Sequence, residues 1–475
     1  MRVLLINPAD PKIQGYHTIG SKIPHLGLQV LAQQTPPQHT VDIHDEIFGQ
    51  DTTESTIRSG RYDLVGLTGY TCSVTRAYQL GLVCREAGIP AILGGPHAWA
   101  CPDEAANYFD SVAVGECDEI WPRILEDAAA GKMQPRYTGS LAKMDQGFGR
   151  AAQHVRPING RYSVAAIQTS RGCPVGCDFC SVTLFNGGEI RRRDIDAIIE
   201  EWNATLGRFV FVVDDNFFGV GPAHAAWAKD LLRAIIQRGK KRLWFSQTSI
   251  NMGDDVEGLR LAYRAGCRGM LVGIESFNAD NLQSFHKGLN KKNVDRYREL
   301  VANFHTAGIC VFGAFIIGGD FDTPETVADT AAEAVQIGVD TIQITNLTPL
   351  PGTKMFDRMM AEGRVTATNF PEDWRRYTFI ETVFKPARMT ADQLDEAMYK
   401  LRCAASVEKW VWKRTLRTLV TTRSLTTAIF VHGINKGWKR MARKQVCEDS
   451  GRFGKVFALH ELDARLRQAF TMMGT

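Results

Sequence analysis

Three cysteines, Cys173, Cys177 and Cys180, stand in a C-x3-C-x2-C spacing within Ser170-Arg171-Gly172-Cys173-Pro174-Val175-Gly176-Cys177-Asp178-Phe179-Cys180. Thiolates bind iron–sulfur clusters, normally four to a cluster. Three closely spaced ligands leave one iron open, and an open iron can chelate a substrate through an amino and a carboxylate group. A structural zinc site would need a fourth ligand. The next histidine, His224, is too distant in sequence to be an obvious one. The other cysteines, Cys72, Cys84, Cys101, Cys117, Cys267, Cys310, Cys403 and Cys447, show no such spacing and read as packing residues.

Regular elements must hold the loop that carries these thiols. An apolar run, Ala165–Gln168, leads into it, and five more follow at Phe209–Asp214, Trp244–Thr248, Met270–Ile274, Val311–Ile317 and Thr341–Thr345. Helical spacing, as in Asp194–Thr205 and Ala223–Gln237, separates them. Such alternation predicts parallel strands with helical crossovers, and barrel sites lie at the carboxyl ends of the strands. Those ends read Asp214-Asp215-Asn216, Gln247-Thr248-Ser249, Gly273-Ile274-Glu275-Ser276, Gly318-Gly319-Asp320 and Leu350-Pro351-Gly352-Thr353. Arg191-Arg192-Arg193 could grip a carboxylate or phosphate, or open a solvated helix.

The first 140 residues repeat the alternation. Val3–Ile6, Val41–His44, Leu64–Thr68, Ala91–Leu93 and Ser111–Val114 read as strands; Leu26–Ala32 and Ala77–Ala87 read as helices. A parallel sheet follows, with a ligand expected beyond its carboxyl ends. Those ends carry Asn7-Pro8, Thr68-Gly69-Tyr70, Gly94-Gly95-Pro96-His97 and Gly115-Glu116, where glycines let a flat ligand approach the backbone.

The whole chain is 475 residues, 44% apolar and 23% charged, which excludes a disordered or small disulfide-stapled protein. Net charge is +4, so no global basic field for nucleic acid exists. No run of 18 apolar residues suits a membrane span. MRVLLINPAD reads as no secretion signal, and an odd cysteine count fits a reducing cytoplasm. Between Lys409 and Lys444 stand ten Lys or Arg and no Asp or Glu, with Trp410, Trp412, Phe430 and Trp438 among them. That mixture suits peripheral contact with an anionic membrane surface, or helices that pack their tryptophans on the preceding domain. Thr390 reads as the cap of the helix that opens this region.

The cysteine triad, with Phe179 before its last member, and the α/β unit ahead of it together resemble the radical S-adenosylmethionine (radical SAM) superfamily, in its cobalamin-binding, methyltransferase-like subgroup, over about residues 1–390. The resemblance implies an α/β protein: a flavodoxin-like doubly wound cobalamin-binding domain at 1–140, a partial (β/α)6 radical SAM barrel at 150–390 and a helical basic region at 391–475. The implied cofactors are a 4Fe-4S cluster on Cys173, Cys177 and Cys180, S-adenosylmethionine, and cobalamin. By the same resemblance Phe179 would shield the cluster and offer backbone to the adenine. Glu275 would accept from the ribose, with Gln247 or Ser249 assisting. Thr68, Tyr70, Gly94 and Gly95 would meet cobalamin, with Tyr70 on its lower face. The family's Asp-x-His-x-x-Gly segment is absent, which implies no protein histidine on cobalt. The usual Gly-Gly-Glu after the second strand is replaced by Asp214-Asp215-Asn216. The implied reaction is radical methylation of an unactivated carbon in a small molecule such as a lipid-like or tetrapyrrole intermediate, with an electron donor such as flavodoxin or ferredoxin. Cyclisation, ring contraction or oxidation are alternatives, as is a non-catalytic cobalamin-binding regulator.

Overall fold

A computed structural model describes residues 1–9, 22–405, 407–453 and 468; the side chains of Cys403 and Cys447 lie outside the description. The N-terminal sheet contains β1 (Arg2–Asn7), β2 (Thr40–Asp45), β3 (Leu64–Thr68), β4 (Ala91–Gly94), β5 (Ser111–Val114) and β6 (Arg136–Thr138). All are parallel, in the order β2-β1-β3-β4-β5-β6. That is the flavodoxin-like order, whose switch point between β1 and β3 opens a ligand crevice. Val3, Leu4, Leu5 and Ile6 are fully buried because helices cover both faces. β6 was not anticipated: it is three residues long and only Tyr137 is buried, too little for a periodic signal.

The second sheet contains β7 (Ala165–Ile167), then β10 (Phe209–Val212), β11 (Leu243–Thr248), β12 (Cys267–Glu275), β13 (Cys310–Ile317) and β14 (Thr341–Asn346). These six strands are parallel and pair in chain order. Between β7 and β10, a short antiparallel pair, β8 (Ser170–Arg171) with β9 (Arg191–Arg192), closes the base of the cysteine loop. Strand alternation sends Val210, Val212 and Trp244 into the core with Ile198, Trp202 and Leu231 of the helix layer. Phe209, Phe211 and Phe245 take the opposite face, where Phe211 and Phe245 stack at 4.3 Å.

One hydrophobic cluster joins the two sheets. It runs from Leu4, Leu67 and Leu93 to Ile317, Leu347 and Phe384. Trp374 reaches across it, donating from Nε1 to Glu104 at 3.0 Å beside His97.

Thr390 caps the helix Ala391–Ala405: its Oγ1 accepts from Gln393 N at 3.1 Å. The next two helices, Glu408–Thr422 and Leu425–Phe453, form a hairpin against the amino-terminal ends of β12, β13 and β14. Arg417 donates to the carbonyl of Gly338 at 2.8 Å, and Thr427 to that of Gly308 at 2.7 Å. Phe430 lies 5.2 Å from the ring of Phe209, and Trp438 lies edge-on to Phe312 at 6.0 Å. Trp410 is buried, so Trp410 and Trp438 serve packing rather than a membrane surface; Trp412 stays 51% exposed. No helix among the described residues is long and apolar enough to cross a membrane.

Candidate functional site

The cysteine loop is closed by backbone chemistry. Gly172 has φ +100°, and a Cβ there would meet the carbonyl oxygen of Glu189 at 2.1 Å, so only glycine turns this corner. Cys173 N donates to Gly187 O at 3.2 Å, and Cys180 N to Cys177 O at 3.1 Å. The three cysteines are partly accessible and near enough for their charges to act on one another. Burial pushes the Cys177 thiol up to about 11 and the Cys180 thiol up to about 12, so anionic thiolates here need a metal to stabilise them. Among the described residues no three His, Cys, Asp or Glu converge on a single ion position. Three thiols in a C-x3-C-x2-C spacing suit an iron–sulfur cluster with one open iron better than a zinc site that needs four protein ligands. His224 is elsewhere: it is buried, its Nε2 donates to Phe217 O at 3.0 Å, and its Nδ1 accepts from Arg192.

The two aspartates after β10 brace this loop. Asp214 is fully buried, accepts from Thr169 N at 2.6 Å and Ser170 Oγ at 2.9 Å, and is pushed up to about 6 by burial. Asp215 accepts from Gly172 N at 2.7 Å and from Asn186 Nδ2 at 3.0 Å. One carboxylate thus holds the entry to the loop, and the other ties entry to exit. Asn216 uses Nδ2 to donate to Ser249 Oγ at 2.7 Å.

Glu275 closes β12 with φ +67°, a conformation costly for a non-glycine residue and typical of functional positions. Its Oε1 is 2.8 Å from Lys287 Nζ, and both side chains are buried. Burial opposes the Lys287 charge, but Glu275 and then Cys177 outweigh it and raise its pKa. A Cβ on Gly273 would strike Glu275 Oε1 at 2.5 Å, so this pair also depends on a glycine. Lys287 therefore presents buried positive charge to the cysteine loop. Nothing in its sequence context, a lone lysine after His286, marks it. Phe179 packs edge-on to Phe285 at 5.4 Å, and Asp178 pairs with His286 at 2.7 Å, which fixes the loop's far side. Gln247 lies between, donating from Nε2 to Asp214 O at 2.8 Å.

Above the N-terminal sheet, the loops after β3 and β4 are tied together: Gly69 N donates to Gly94 O at 2.9 Å, and His97 N to Gly69 O at 3.0 Å. Gly95, at φ +96°, sits against that tie, and a Cβ would meet Thr68 Oγ1 at 2.7 Å. Gly94 differs. A Cβ there would find its nearest atoms at 3.9 and 4.0 Å, so this glycine leaves an open shelf that a flat ligand can approach. Tyr70 is 48% accessible, yet burial and the charges of Cys72 and Asp215 raise its phenol pKa. Its ring stands at the carboxyl end of β3, within range of the charge of Asp215. His25 joins it, 3.4 Å from Thr68 Oγ1 and 5.6 Å ring to ring from Tyr70. An isolated histidine between Pro24 and Leu26 offers no spacing signal, so the sequence did not reveal it.

Crevice and loop are locked to each other by charge. Glu116, after β5, lies 2.8 Å from Arg171 Nη1 and 2.9 Å from Arg191 Nη1; Arg171 also meets Asp118 at 2.9 Å. All of these are buried or nearly so. This corrects the reading of Arg191-Arg192-Arg193 as a ligand clamp or solvated helix start. Arg191 is consumed by Glu116 and the carbonyls of Ala142 and Asn186, Arg192 faces His224, and the buried Arg193 pairs with Glu201 at 2.7 Å.

Residues 167–364 match the Radical SAM superfamily. A bacteriochlorophyllide d C-12(1)-methyltransferase of Chlorobaculum tepidum is 30% identical over 89% of this chain and 94% of its own. The C-8(2)-methyltransferase of the same organism is 29% identical over 85% and 90%. A hopanoid C-2 methylase of Rhodopseudomonas palustris is 29% identical over 73% and 66%. Among solved structures, the radical S-adenosylmethionine methyltransferase TsrM of Kitasatospora setae, with cobalamin and a [4Fe-4S] cluster bound, superposes with a TM-score of 0.66 at 17% identity, covering 94% of this chain and 99% of that one. With the thiol loop, the flavodoxin-like sheet and these likenesses in hand, the chain belongs to the radical SAM superfamily, among relatives named as methyltransferases.

Proposed function

We propose that this enzyme methylates an unactivated carbon of a tetrapyrrole-like ring system. The observation that supports the reading is the Arg171–Glu116–Arg191 lock, which ties the loop after β5 of the N-terminal sheet to the cysteine loop, as two cofactors acting on one substrate would need. When bound, the cluster, S-adenosylmethionine and cobalamin supply a single electron, a hydrogen-abstracting radical and a transferable methyl group, which a carbon lacking both an acidic proton and a lone pair requires. Cys173, Cys177 and Cys180 would hold the cluster, with Phe179 covering one side. Lys287 would offset the negative charge that collects there, and Glu275 would keep Lys287 in place. Oε2 of Glu275 and Oε1 of Gln247 would accept from ribose hydroxyls, with Ser249 positioned behind them. Thr68, Tyr70 and Gly94 would form the bed for cobalamin, and Gly95 would keep that bed in shape. A small electron carrier such as flavodoxin or ferredoxin would deliver the electron in a reducing cytoplasm. The substrate class is supported by the two relatives that align over most of both chains, whose names specify bacteriochlorophyllides.

The test is anaerobic reconstitution followed by incubation with deuteromethyl-labelled S-adenosylmethionine, cobalamin, a low-potential reductant and a bacteriochlorophyllide. The expected result is 5′-deoxyadenosine together with a chlorin carrying the label. A Cys173/Cys177/Cys180→Ala variant that keeps full iron and sulfide would overturn the cluster assignment. Deoxyadenosine without labelled chlorin would overturn only the substrate class.

A further inference from the structure

The hairpin of Glu408–Thr422 and Leu425–Phe453 buries one face on the barrel and leaves the other open. The open face carries Trp412, Leu416, Leu419, Val420, Leu425 and Ile429, with Val420 70% exposed. On the first helix these recur at i, i+4, i+7 and i+8, one helical stripe. On the second they recur at i, i+4, and the two rows meet at the turn around Arg423. Contiguous exposed apolar patches mark interaction surfaces.

Cations border the patch. Arg423 is exposed at the turn, and Lys436, Arg440 and Arg443 are exposed further along the second helix. Lys436 and Arg440 continue the stripe begun by Leu425 and Ile429, at helical spacing. None of these four cations makes an ion pair with a described residue, and the chain offers no Asp or Glu between Lys409 and Lys444. The inward face is different. There Arg417 is spent on backbone carbonyls and on Asp340, and Trp410 is buried.

We propose that this outward face docks the enzyme on an anionic lipid bilayer. An apolar ridge flanked by Lys and Arg has the composition of a helix lying in a bilayer interface: the ridge sinks between headgroups and the cations meet their negative charge. A second copy of this chain fits poorly, because a two-fold contact would set the same cations against each other. The hairpin is anchored at Gly308, Gly338 and Asp340, next to the starts of β13 and β14. The cysteine loop is at the other end of that sheet, so docking leaves the crevice open. This inference does not depend on the reaction proposed above.

The measurement is co-sedimentation of the full-length protein with vesicles of phosphatidylcholine alone or mixed with phosphatidylglycerol, at low and high salt. The expected result is pelleting with the anionic vesicles that weakens as salt rises. An Arg423→Gln/Lys436→Gln/Arg440→Gln variant should bind about a hundredfold more weakly, since each surface charge contributes about fivefold. A Val420→Glu/Leu425→Glu/Ile429→Glu variant should lose binding while its circular dichroism and iron content stay native. Absence of pelleting with anionic vesicles at low salt overturns the proposal. So does binding that neither variant weakens. Self-association of the free protein that the glutamate variant abolishes would assign the face to a second copy and likewise overturn it.

Discussion

Replacing Glu116 by Gln removes a negative charge from a place where the side chain is 2% exposed and faces two guanidinium groups. The native Oε2 lies 2.8 Å from Arg171 and accepts from Ala142 N at 2.7 Å, while Oε1 lies 2.5 Å from Arg191. The amide can accept through only one oxygen and must turn an NH2 toward a donor. Arg171 keeps Asp118 at 2.9 Å, but Arg191 is left with carbonyls alone. Removing one partner of a buried ion pair costs about 3–5 kcal/mol. With Arg171 still paired, the lower end applies, and the loss should be about 3 kcal/mol, a large part of the ~5–15 kcal/mol that typically holds a protein folded. Because Arg171 and Arg191 flank the cysteine loop, iron uptake should fall as well. Urea unfolding followed by tryptophan fluorescence gives the first quantity, and iron and sulfide analysis after anaerobic reconstitution gives the second. A Glu116→Leu/Arg191→Met pair should recover part of the stability, since the uncompensated charge on Arg191 is gone. A loss below about 1 kcal/mol with full iron uptake would refute the claim that this carboxylate locks the two sheets together.

Gly95→Ala should destabilise by about 1–3 kcal/mol, because it adds left-handed strain to a Cβ contact, with Thr68 Oγ1 at 2.7 Å. Gly94→Ala, with 3.9 Å of clearance, should stay within about 0.5 kcal/mol, and equal losses at both positions would contradict the loop geometry. Burial lowers the His224 pKa from 6.5 to about 4, so folding favours its neutral form. Its contribution is complete above 6.5 and is lost as pH falls toward 4, by up to about 3 kcal/mol. A His224→Gln variant should lack that step, and identical pH–stability curves for variant and parent would show that His224 is not its source.

The local signals in this chain are strong because they are local. The C-x3-C-x2-C spacing is complete within eight residues, Cys173 to Cys180. The six barrel strands read as apolar runs because a parallel sheet is covered on both faces, and the structure pairs those runs in chain order. Alternation and the need for crossovers make the N-terminal strands parallel, but their order, β2-β1-β3-β4-β5-β6, is decided only in the fold. What surrounds the thiols was not legible. In the sequence Asp214 and Asp215 stand among the polar groups at strand ends where a site is expected, and only the folded chain shows them gripping the entry and exit of the loop. Lys287 finds Glu275, and Arg171 and Arg191 find Glu116, across separations over which sequence patterns carry no information. In the tail, composition announced basic and aromatic side chains, while packing decided that Trp410 turns inward and Val420 outward. The physical reason is common to all of these. Periodicity and spacing report the geometry of one element, a few residues at a time. A buried charge is paired only once the assembled interior has removed water from it, and then it takes whatever counterion the tertiary fold brings near.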